Sequence, residues 1–237
     1  MHLKRLNGKK AVVFGGTSGI GLAASLQLKA LGAKVVAVSR SPAKAEASAE
    51  ALQLEQCDVL DRDALDALLT REAPFDILVS AATGGQRAVG PFLGMGLEGY
   101  RSSFDKLWGY SNVVQLGAPH LSETGCIVLV SGSPARQPKP GQVALASVGA
   151  AVEQMARSVA RELAPRRINV VSPGIIDTPM FGAEGEERTA KLAKLTESHA
   201  LPRAGTPEEV AKAILFAVEN EFVTGTTIDV DGGWLLP

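Results

Sequence analysis

The sequence predicts an α/β fold in which a single doubly wound parallel sheet of about seven strands carries helices on both faces. The first observation behind this prediction is a series of short apolar runs at 11–14, 35–38, 54–59, 77–79, 127–130, 168–171 and 227–230, of which 54–59 is the weakest. Such runs, bounded by Gly, Pro, Ser or Asp, are typical of strands buried on both faces of a parallel sheet. The second observation is that helical patterns alternate with the runs, which places a ligand crevice at the carboxyl ends of the strands.

Three helical patterns have recognisable limits. The first runs over 21–31, and a long one over 150–163 carries apolar residues on related faces. Another begins with a capping box formed by Thr206 and Glu209, with a proline at the first helical position, and extends to about residue 218. Each pattern lies between two strand runs, as the predicted fold requires.

Size and composition limit the classes of function. With 237 residues, 46% of them hydrophobic, the chain is expected to form one domain over 1–237. A formal net charge of −1 argues against nucleic acid and membrane surfaces as partners, and no apolar run approaches the roughly 18 residues of a membrane span. Cys57 and Cys126 stand far apart beside apolar runs, which favours buried reduced thiols over a disulfide or a metal site. We therefore predict a cytoplasmic protein without a metal.

A glycine-rich loop, GGTSGIG, follows the first predicted strand and opens the first helix. Its glycines permit a tight turn, and the backbone N–H groups and the dipole of the helix favour an anion there. A glycine cluster alone is weak evidence because turns also use glycine for geometry. The order of strand, loop and helix makes a phosphate cradle for a nucleotide the stronger interpretation, with Gly15, Thr17, Ser18, Gly19, Ile20 and Gly21 as its residues.

The end of the second predicted strand indicates which nucleotide binds. About twenty residues after such a cradle a carboxylate would bind the ribose hydroxyls of NAD, but this chain has Ser39 and Arg40 and no acid between Val35 and Pro42. A guanidinium at this point favours a 2′-phosphate, although an ordinary surface arginine is the alternative. We predict NADP(H) as the cofactor.

Later segments resemble the short-chain dehydrogenase/reductase family, and the resemblance covers essentially the whole chain. RINVVSPGIIDTPM over 167–180 resembles the nicotinamide segment of that family, and PEEVAKAILFAVEN with VTGTTIDVDGG resembles its C-terminal signature. A strand-end Asp that contacts adenine, and a strand leading into NNAG, are matched in place at 58–59 and 80–83. The resemblance implies further cofactor contacts at Asp58, Val59, Ala81, Ala82, Thr83, Pro173, Gly174, Ile176 and Thr178.

The resemblance departs from the family pattern where the proton is handled. Family members reduce a carbonyl with hydride from the nicotinamide, while a Tyr donates the proton, a Lys lowers its pKa, a Ser orients the oxygen and an Asn relays water. The positions that match these four hold Leu145, Gly149, Gly132 and Lys106. Neither Leu145 nor Gly149 can donate a proton, so the usual mechanism does not transfer to this chain.

Two interpretations stay open. In the first, the chain is an active NADPH-dependent carbonyl reductase in which another group replaces the tyrosine, because one general acid contributes about 10²–10⁴-fold of a rate. The candidates for proton handling are Lys106, Ser131, Ser133 and Arg136, with Lys139 in the same loop. In the second, the chain binds NADP(H) without turnover, as a sensor or an interaction protein. The retained nicotinamide segment favours the first interpretation.

The expected substrate is a small hydrophobic carbonyl compound. Its candidate lining residues, which would equally suit core packing, are Phe92, Leu93, Trp108, Met180 and Phe181. The charged segment over 181–199 is either a solvated connecting helix or a lid over the crevice, and the architecture favours the lid. The family resemblance also implies a homodimer or homotetramer formed through the helix at 150–163 and the carboxyl-terminal strand.

Overall fold

The computed structural model describes residues 5–83 and 86–237, and within them one sheet of seven strands has every neighbouring pair parallel. Its strands are β1 (Lys10–Phe14), β2 (Lys34–Ser39), β3 (Gln53–Gln56), β4 (Phe75–Ser80), β5 (Leu121–Val130), β6 (Arg167–Pro173) and β7 (Thr227–Val230). They lie in the order β3-β2-β1-β4-β5-β6-β7. The chain winds outward from β1 in one direction and from β4 in the other, so the predicted fold class is confirmed.

Helices cover both faces of the sheet. They are α1 (Gly19–Ala30), α2 (Arg62–Glu72), α3 (Leu97–Ser103), α4 (Asp105–Gly117), α5 (Val143–Leu163), α6 (Glu186–Thr196) and α7 (Pro207–Glu219). On one face α1 and α7 bury Leu28 and Ile214, and on the other α2, α4 and α5 bury Leu65, Tyr110 and Val152. The strands are buried from both sides, which explains why they appear in the sequence as continuous apolar runs.

Three predicted boundaries were wrong by three residues or more. The fifth strand begins at Leu121 and not at residue 127. The third strand ends at Gln56 rather than at residue 59, because the Asp58 carboxylate accepts a hydrogen bond from the Leu60 N–H at 3.0 Å and closes a turn. The long helix begins at Val143 and not at residue 150, since Ala144 and Val148 are buried in its first turns and extend its apolar face. The earlier start puts residues 145 and 149 on a helix that borders the crevice.

Other limits agree with the sequence. The capping box of α7 is formed, with the Thr206 hydroxyl accepting from the Glu209 N–H at 3.3 Å and the Glu209 carboxylate accepting from the Thr206 N–H at 2.8 Å. In the described part of the chain no helix combines the length and the apolar character that crossing a bilayer demands. Because the chain leaves β1 and β4 toward opposite faces, a crevice opens between their carboxyl ends.

Candidate active site

The loop after β1 has a shape that only glycine allows. Gly15 has a φ of 75°, and a Cβ added to it would lie 2.9 Å from backbone atoms of Ala81 and Ala82. A Cβ on Gly21 would collide with the carbonyl oxygen of Gly15. Bare backbone therefore forms the floor of the crevice at the N-terminus of α1, where N–H groups and the helix dipole favour a phosphate.

A cleft of about 270 Å³ lies over this loop and extends across the ends of β1, β2 and β4. It brings together most of the residues that the sequence assigned to the cofactor, namely Gly15, Thr17, Ser18, Gly19, Ile20, Gly21, Ser39, Arg40, Asp58, Val59, Ala81, Ala82, Thr83, Pro173 and Thr178. The prediction placed Gly174 and Ile176 here as well, but both line the neighbouring cavity instead. The reason is that Gly174 packs against the backbone of Asp231, where a Cβ would lie 2.7 Å from its carbonyl oxygen.

Arg40 in the wall of the cleft and Glu46 beside the glycine loop carry opposite charges. Arg40 is exposed at the end of β2 and forms no ion pair within residues 5–83 and 86–237. Glu46 is on the other side of the glycine loop, and its Oε1 accepts a hydrogen bond from the Gly19 N–H at 3.0 Å. One of the N–H groups at the start of α1 is thus already hydrogen-bonded to the Glu46 carboxylate. The arginine favours a phosphate in this cleft, and the glutamate opposes one.

A second cavity of about 410 Å³ adjoins the cleft. The two share wall residues from several segments, among them Ile20, Thr83, Lys106, Ser131 and Thr178. A ligand in the second cavity would therefore lie beside the end of the cleft that is formed by Pro173 and Thr178. Chemistry between two bound molecules would take place at this shared wall.

The α5 side of the second cavity carries no titratable group. Leu145 and Gly149 line it, at the positions where the family resemblance implies a Tyr and a Lys. A Cβ on Gly149 would lie 2.9 Å from the Cβ of Ala135, because α5 packs directly against the turn over 133–135. A longer side chain at residue 149 would require that turn to move.

Lys106, near the start of α4, brings a titratable amine into the shared wall. The side chain is half-buried, its Nζ donates a hydrogen bond to the Ser131 carbonyl oxygen at 3.2 Å, and it lies 5.4 Å from the centre of the Tyr110 ring. Burial, and then the positive charge of Arg87, lower the pKa of Lys106 to about 7. An amine with such a pKa can donate a proton and recover it near neutral pH.

Ser131 lines both cavities but is already engaged. Its hydroxyl donates to Glu153 Oε1 at 2.7 Å, and both side chains are buried. Arg136 lies 3.3 Å from the other carboxylate oxygen of Glu153 and also binds Asp229, through its Nη1 at 2.9 Å among other contacts. These contacts raise the pKa of Arg136. The buried Glu153 carboxylate therefore holds the Ser131 hydroxyl in place, and Arg136, which lies outside the cavity, neutralises the charge of that carboxylate.

Three of the other candidates do not line either cavity. Ser133 is fully buried, and its hydroxyl donates to the Pro173 carbonyl oxygen at 3.2 Å. Arg136 is committed to its two carboxylates, and Lys139 lies 4.8 Å from the centre of the Trp234 ring. Structural contacts thus account for these side chains, which leaves Lys106 and Ser131 as the sequence candidates that face the ligand space.

The tyrosines are likewise engaged elsewhere. Tyr110 is fully buried, donates to the Val130 carbonyl oxygen at 3.0 Å, and burial raises its pKa. Tyr100 lies 3.2 Å from the hydroxyl of Ser147 and packs edge-on to the ring of Phe104. The hydroxyls of both tyrosines are therefore engaged in contacts within the fold.

The apolar lining was only partly predicted. Met180 and Phe181 line the second cavity, whereas Phe92, Leu93 and Trp108 are between 58% and 98% exposed and face away from it. Sequence alone did not separate the two groups, because an exposed and a cavity-lining apolar residue look alike in a chain without an alignment. The actual lining also includes Val148 and Trp234, which come from segments far apart in the sequence.

Sequence reasoning missed Arg87. It lies in the loop after β4 and lines both the cleft and the second cavity. No motif marks it, since the surrounding sequence, TGGQRAVG over 83–90, matches no functional pattern considered for this chain. Only its proximity to Lys106, whose pKa its charge lowers, indicates that it belongs to the site.

The segment over 181–199 forms part of the cavity wall. Lys191 and Leu195 on α6 line the second cavity, together with Phe181 at the start of the segment. Arg188 anchors the helix, because its Nε donates to the Asp177 carboxylate at 2.6 Å. The segment therefore has the position expected of a lid, and its opening and closing remain a prediction.

Comparison with known proteins gives matches over nearly the whole chain. A family model described as Enoyl-(Acyl carrier protein) reductase matches residues 15–235. The 3-oxoacyl-(acyl-carrier-protein) reductase FabG of Thermotoga maritima is 33% identical, over 98% of this chain and 100% of its own length. Carbonyl reductase family member 4 of Danio rerio is 31% identical, over 94% of this chain and 96% of its own.

Solved structures agree in fold. A small-chain dehydrogenase in complex with NADPH is 31% identical and superposes with a TM-score of 0.86, over 97% of this chain and 99% of its own. Both cavities lie within the matched residues, including the glycine loop, Lys106 and Trp234. The similarity therefore extends across the nucleotide cleft and the cavity beside it.

Proposed function

This chain belongs to the short-chain dehydrogenase/reductase family, and we propose that it is an NADPH-dependent reductase of small carbonyl compounds in which Lys106 donates the proton. The observation that carries the proposal is the position of the Lys106 amine, at the wall shared by the nucleotide cleft and an adjoining, largely apolar cavity. Its pKa of about 7 suits proton transfer at neutral pH. No other titratable candidate from the sequence faces this space.

The nucleotide cleft fits the cofactor. The glycine loop offers backbone N–H groups at a surface that any Cβ would fill, and Arg40 at the end of β2 suits a 2′-phosphate. Relatives support the choice, because a structure of similar fold is a complex with NADPH. When bound, NADPH supplies a hydride to the carbonyl carbon. Pro173 and Thr178 lie in the shared wall and would position the reacting end of the cofactor.

In the proposed reaction Lys106 acts on the carbonyl oxygen. As the carbon gains its new C–H bond, the π electrons of the C=O bond move to oxygen, and the Lys106 ammonium gives that oxygen a proton. The alcohol is released, and solvent returns a proton to the neutral amine. The hydrogen bond from Nζ to the Ser131 carbonyl oxygen holds the amine in the shared wall. Ser131 itself is a positioning residue, fixed by Glu153.

A second function, NADP(H) binding without turnover, is favoured by one observation. Leu145 and Gly149 leave the α5 side of the cavity without a proton donor, and the packing at Gly149 leaves no room for a longer side chain. A sensor or an interaction protein would keep the nucleotide cleft and need no acid. Lys106 is what distinguishes the two functions, because carbonyl reduction needs an amine that can donate a proton at the shared wall and nucleotide binding does not.

The test is NADPH consumption with a panel of aldehydes, ketones, diketones and quinones. We expect at least one class of carbonyl compound to accelerate NADPH oxidation over the rate without substrate, with an alcohol as product by mass spectrometry. Tight NADPH binding with no acceleration by any carbonyl compound would establish the passive function instead. If the rate of carbonyl reduction is unchanged in Lys106→Met, the proposed reductase function stands, but the lysine is not its proton donor.

A further inference from the structure

The cavity beside the cofactor cleft carries positive charge without negative charge in its wall. Arg87, Lys106 and Lys191 line it, and no Asp or Glu does so among the described residues. None of the three forms an ion pair within residues 5–83 and 86–237. Three cations from three different segments, α4, α6 and the loop after β4, thus converge on one space.

The neighbouring Arg136 shows the contrast. That arginine lies just outside the cavity and is neutralised by both Glu153 and Asp229. Among the described residues, Arg87 forms a hydrogen bond to a neutral group, the Met180 sulfur, and Lys191 lies 5.9 Å from the centre of the Phe181 ring. On α6, Arg188 is likewise paired with Asp177. Arg87, Lys106 and Lys191 have no carboxylate beside them in the described wall of the cavity, which leaves their charge available to a ligand.

Mutual repulsion adds to this argument. The positive charge of Arg87 acts on the Lys106 amine inside a partly desolvated cavity. Keeping like charges together costs free energy unless an anion neutralises them. Arg87 and Lys191 are exposed, so a charged group entering the cavity from solvent can reach them. Leu145 and Val148 on α5 give the cavity an apolar wall.

We propose that the substrate is an oxo acid, a carbonyl compound with an apolar body and a carboxylate, whose carboxylate binds Arg87 and Lys191. This inference rests on the proposed reductase function and specifies its substrate class. The apolar body lies against α5, and the carbonyl group lies toward Lys106. Lys191 lines only the substrate cavity, so its charge is not accounted for by the phosphates of the cofactor.

The experiment compares an acid with its ester. For 4-phenyl-2-oxobutanoate and its ethyl ester we expect kcat/KM of the wild-type protein to favour the acid by about 10–100-fold, the usual value of a hydrogen bond to a charged group. Lys191→Gln should lose most of this preference by lowering kcat/KM for the acid, with the ester changed by less than about 3-fold and the KM for NADPH unchanged. Arg87→Gln should also lose the preference, but its effect is read only as the ratio of acid to ester, because Arg87 also lines the cofactor cleft and its charge lowers the pKa of Lys106.

Lys194→Gln is the matched control, because Lys194 lies on the same helix but lines neither cavity. It should retain the acid preference. Equal kcat/KM for acid and ester in the wild type would overturn the inference, as would a loss in Lys191→Gln that affects acid and ester alike. A raised KM for NADPH in Arg87→Gln with an unchanged acid preference would assign Arg87 to the cofactor and overturn its role here.

A binding measurement separates this inference from the reductase proposal. With NADP⁺-loaded protein, calorimetry should show 4-phenylbutanoate binding at least about 10-fold more tightly than 4-phenylbutanamide, and Lys191→Gln should remove the difference. If this holds while neither oxo compound is reduced, the ligand class stands and the proposed reaction fails. If the amide binds as tightly as the acid while the ester is reduced, the reductase stands and the anionic substrate is excluded.

Discussion

The cofactor cleft and the cavity beside it present different surfaces to their ligands. In the cleft the surface is largely backbone, shaped by Gly15, Gly21 and the strand ends around them. In the cavity it consists of side chains from α4, α5, α6 and the loop after β4, with Lys106, Arg87 and Lys191 as its charged members. A backbone surface tolerates almost no change, whereas a side-chain surface can be rebuilt residue by residue on the same fold.

The difference teaches which half of such a site can diverge. Replacing the cradle would require a new path for the chain between β1 and α1. Replacing the proton donor requires only that a different side chain reach the shared wall, as Lys106 does from α4. The four predictions below assign each perturbation to one region, so that a loss of nucleotide binding and a loss of turnover are separable.

The largest expected effect is on the cavity side. Lys106→Met should lower kcat about 10²–10⁴-fold, the contribution of one general acid, with the Kd for NADPH within about 3-fold of the wild type. Reduction uses the ammonium form, so wild-type activity should fall as pH rises through the pKa of Lys106, which is about 7 before the phosphates of NADPH raise it. The measurement is a pH profile of kcat for both proteins.

Lys194→Met serves as the control for this variant, since it removes an exposed lysine that lines neither cavity. A parallel loss of NADPH affinity in Lys106→Met would mean that the two regions are not separable at this residue. If kcat of Lys106→Met falls with pH in the same way as kcat of the wild type, the lysine is not the titrating group.

The next effect is on the cleft side. Gly21→Ala places a Cβ against the Gly15 carbonyl oxygen, and overpacking of a backbone contact costs about 1–3 kcal/mol. We expect about 100-fold weaker NADPH binding by fluorescence titration, together with a lower Tm. Gly94→Ala is the control, because a Cβ there meets no atom within 4 Å. If Gly21→Ala keeps the wild-type affinity for NADPH, the backbone of the cradle can accommodate a Cβ, and the contrast drawn between the cleft and the cavity is wrong.

A smaller effect distinguishes between nucleotides. Arg40→Asp should weaken NADPH about 10–100-fold and NADH by less than about 3-fold, because it replaces the partner of the 2′-phosphate with a like charge. Arg157→Asp, a change of the same kind at an exposed arginine on α5, should leave both affinities alone. Equal losses for the two nucleotides would remove the assignment of Arg40 to the phosphate.

The smallest effect concerns the carboxylate at the start of α1. Glu46→Gln removes a negative charge whose oxygen now accepts the Gly19 N–H, and NADPH should bind about 3-fold more tightly, in line with the modest value of exposed charges. Added salt should reduce the gain, since it screens this repulsion. Glu50→Gln is the control at an exposed neighbour, and a weaker affinity in Glu46→Gln would mean that its hydrogen bond supports the loop.

Most of the cleft could be predicted from the sequence because its determinants are local. The apolar run of β1, the glycine loop and the start of α1 are contiguous, so their spacing alone predicts the phosphate cradle. Ser39 and Arg40 follow at the distance that a strand-helix-strand unit requires. Gly174 and Ile176 line the second cavity although the sequence assigned them to the cofactor, because one segment borders both cavities and its sequence does not say which residue faces which.

The cavity was less predictable, because it is assembled from residues far apart in the chain. Ser133 and Arg136 looked as available as Ser131, and only their partners Pro173, Glu153 and Asp229 show that they are committed elsewhere. The sequence suggested Trp108 as a lining residue, but its side chain is exposed. Trp234 does line the cavity, and no pattern in the sequence indicates it. Burial and pairing are properties of the folded chain and leave little trace in a single sequence.

By itself the sequence determined the order of strands and helices, the cradle and the absence of a proton donor at 145 and 149, since each depends on residue type at a local spacing. The nucleotide preference that Arg40 indicates stays a prediction. Only the tertiary structure decided that Lys106 reaches the shared wall, that its pKa falls to about 7, and that Arg87 and Lys191 join it in a cavity without carboxylates. The physical reason is that charge and desolvation depend on three-dimensional neighbours, which packing brings together from distant segments.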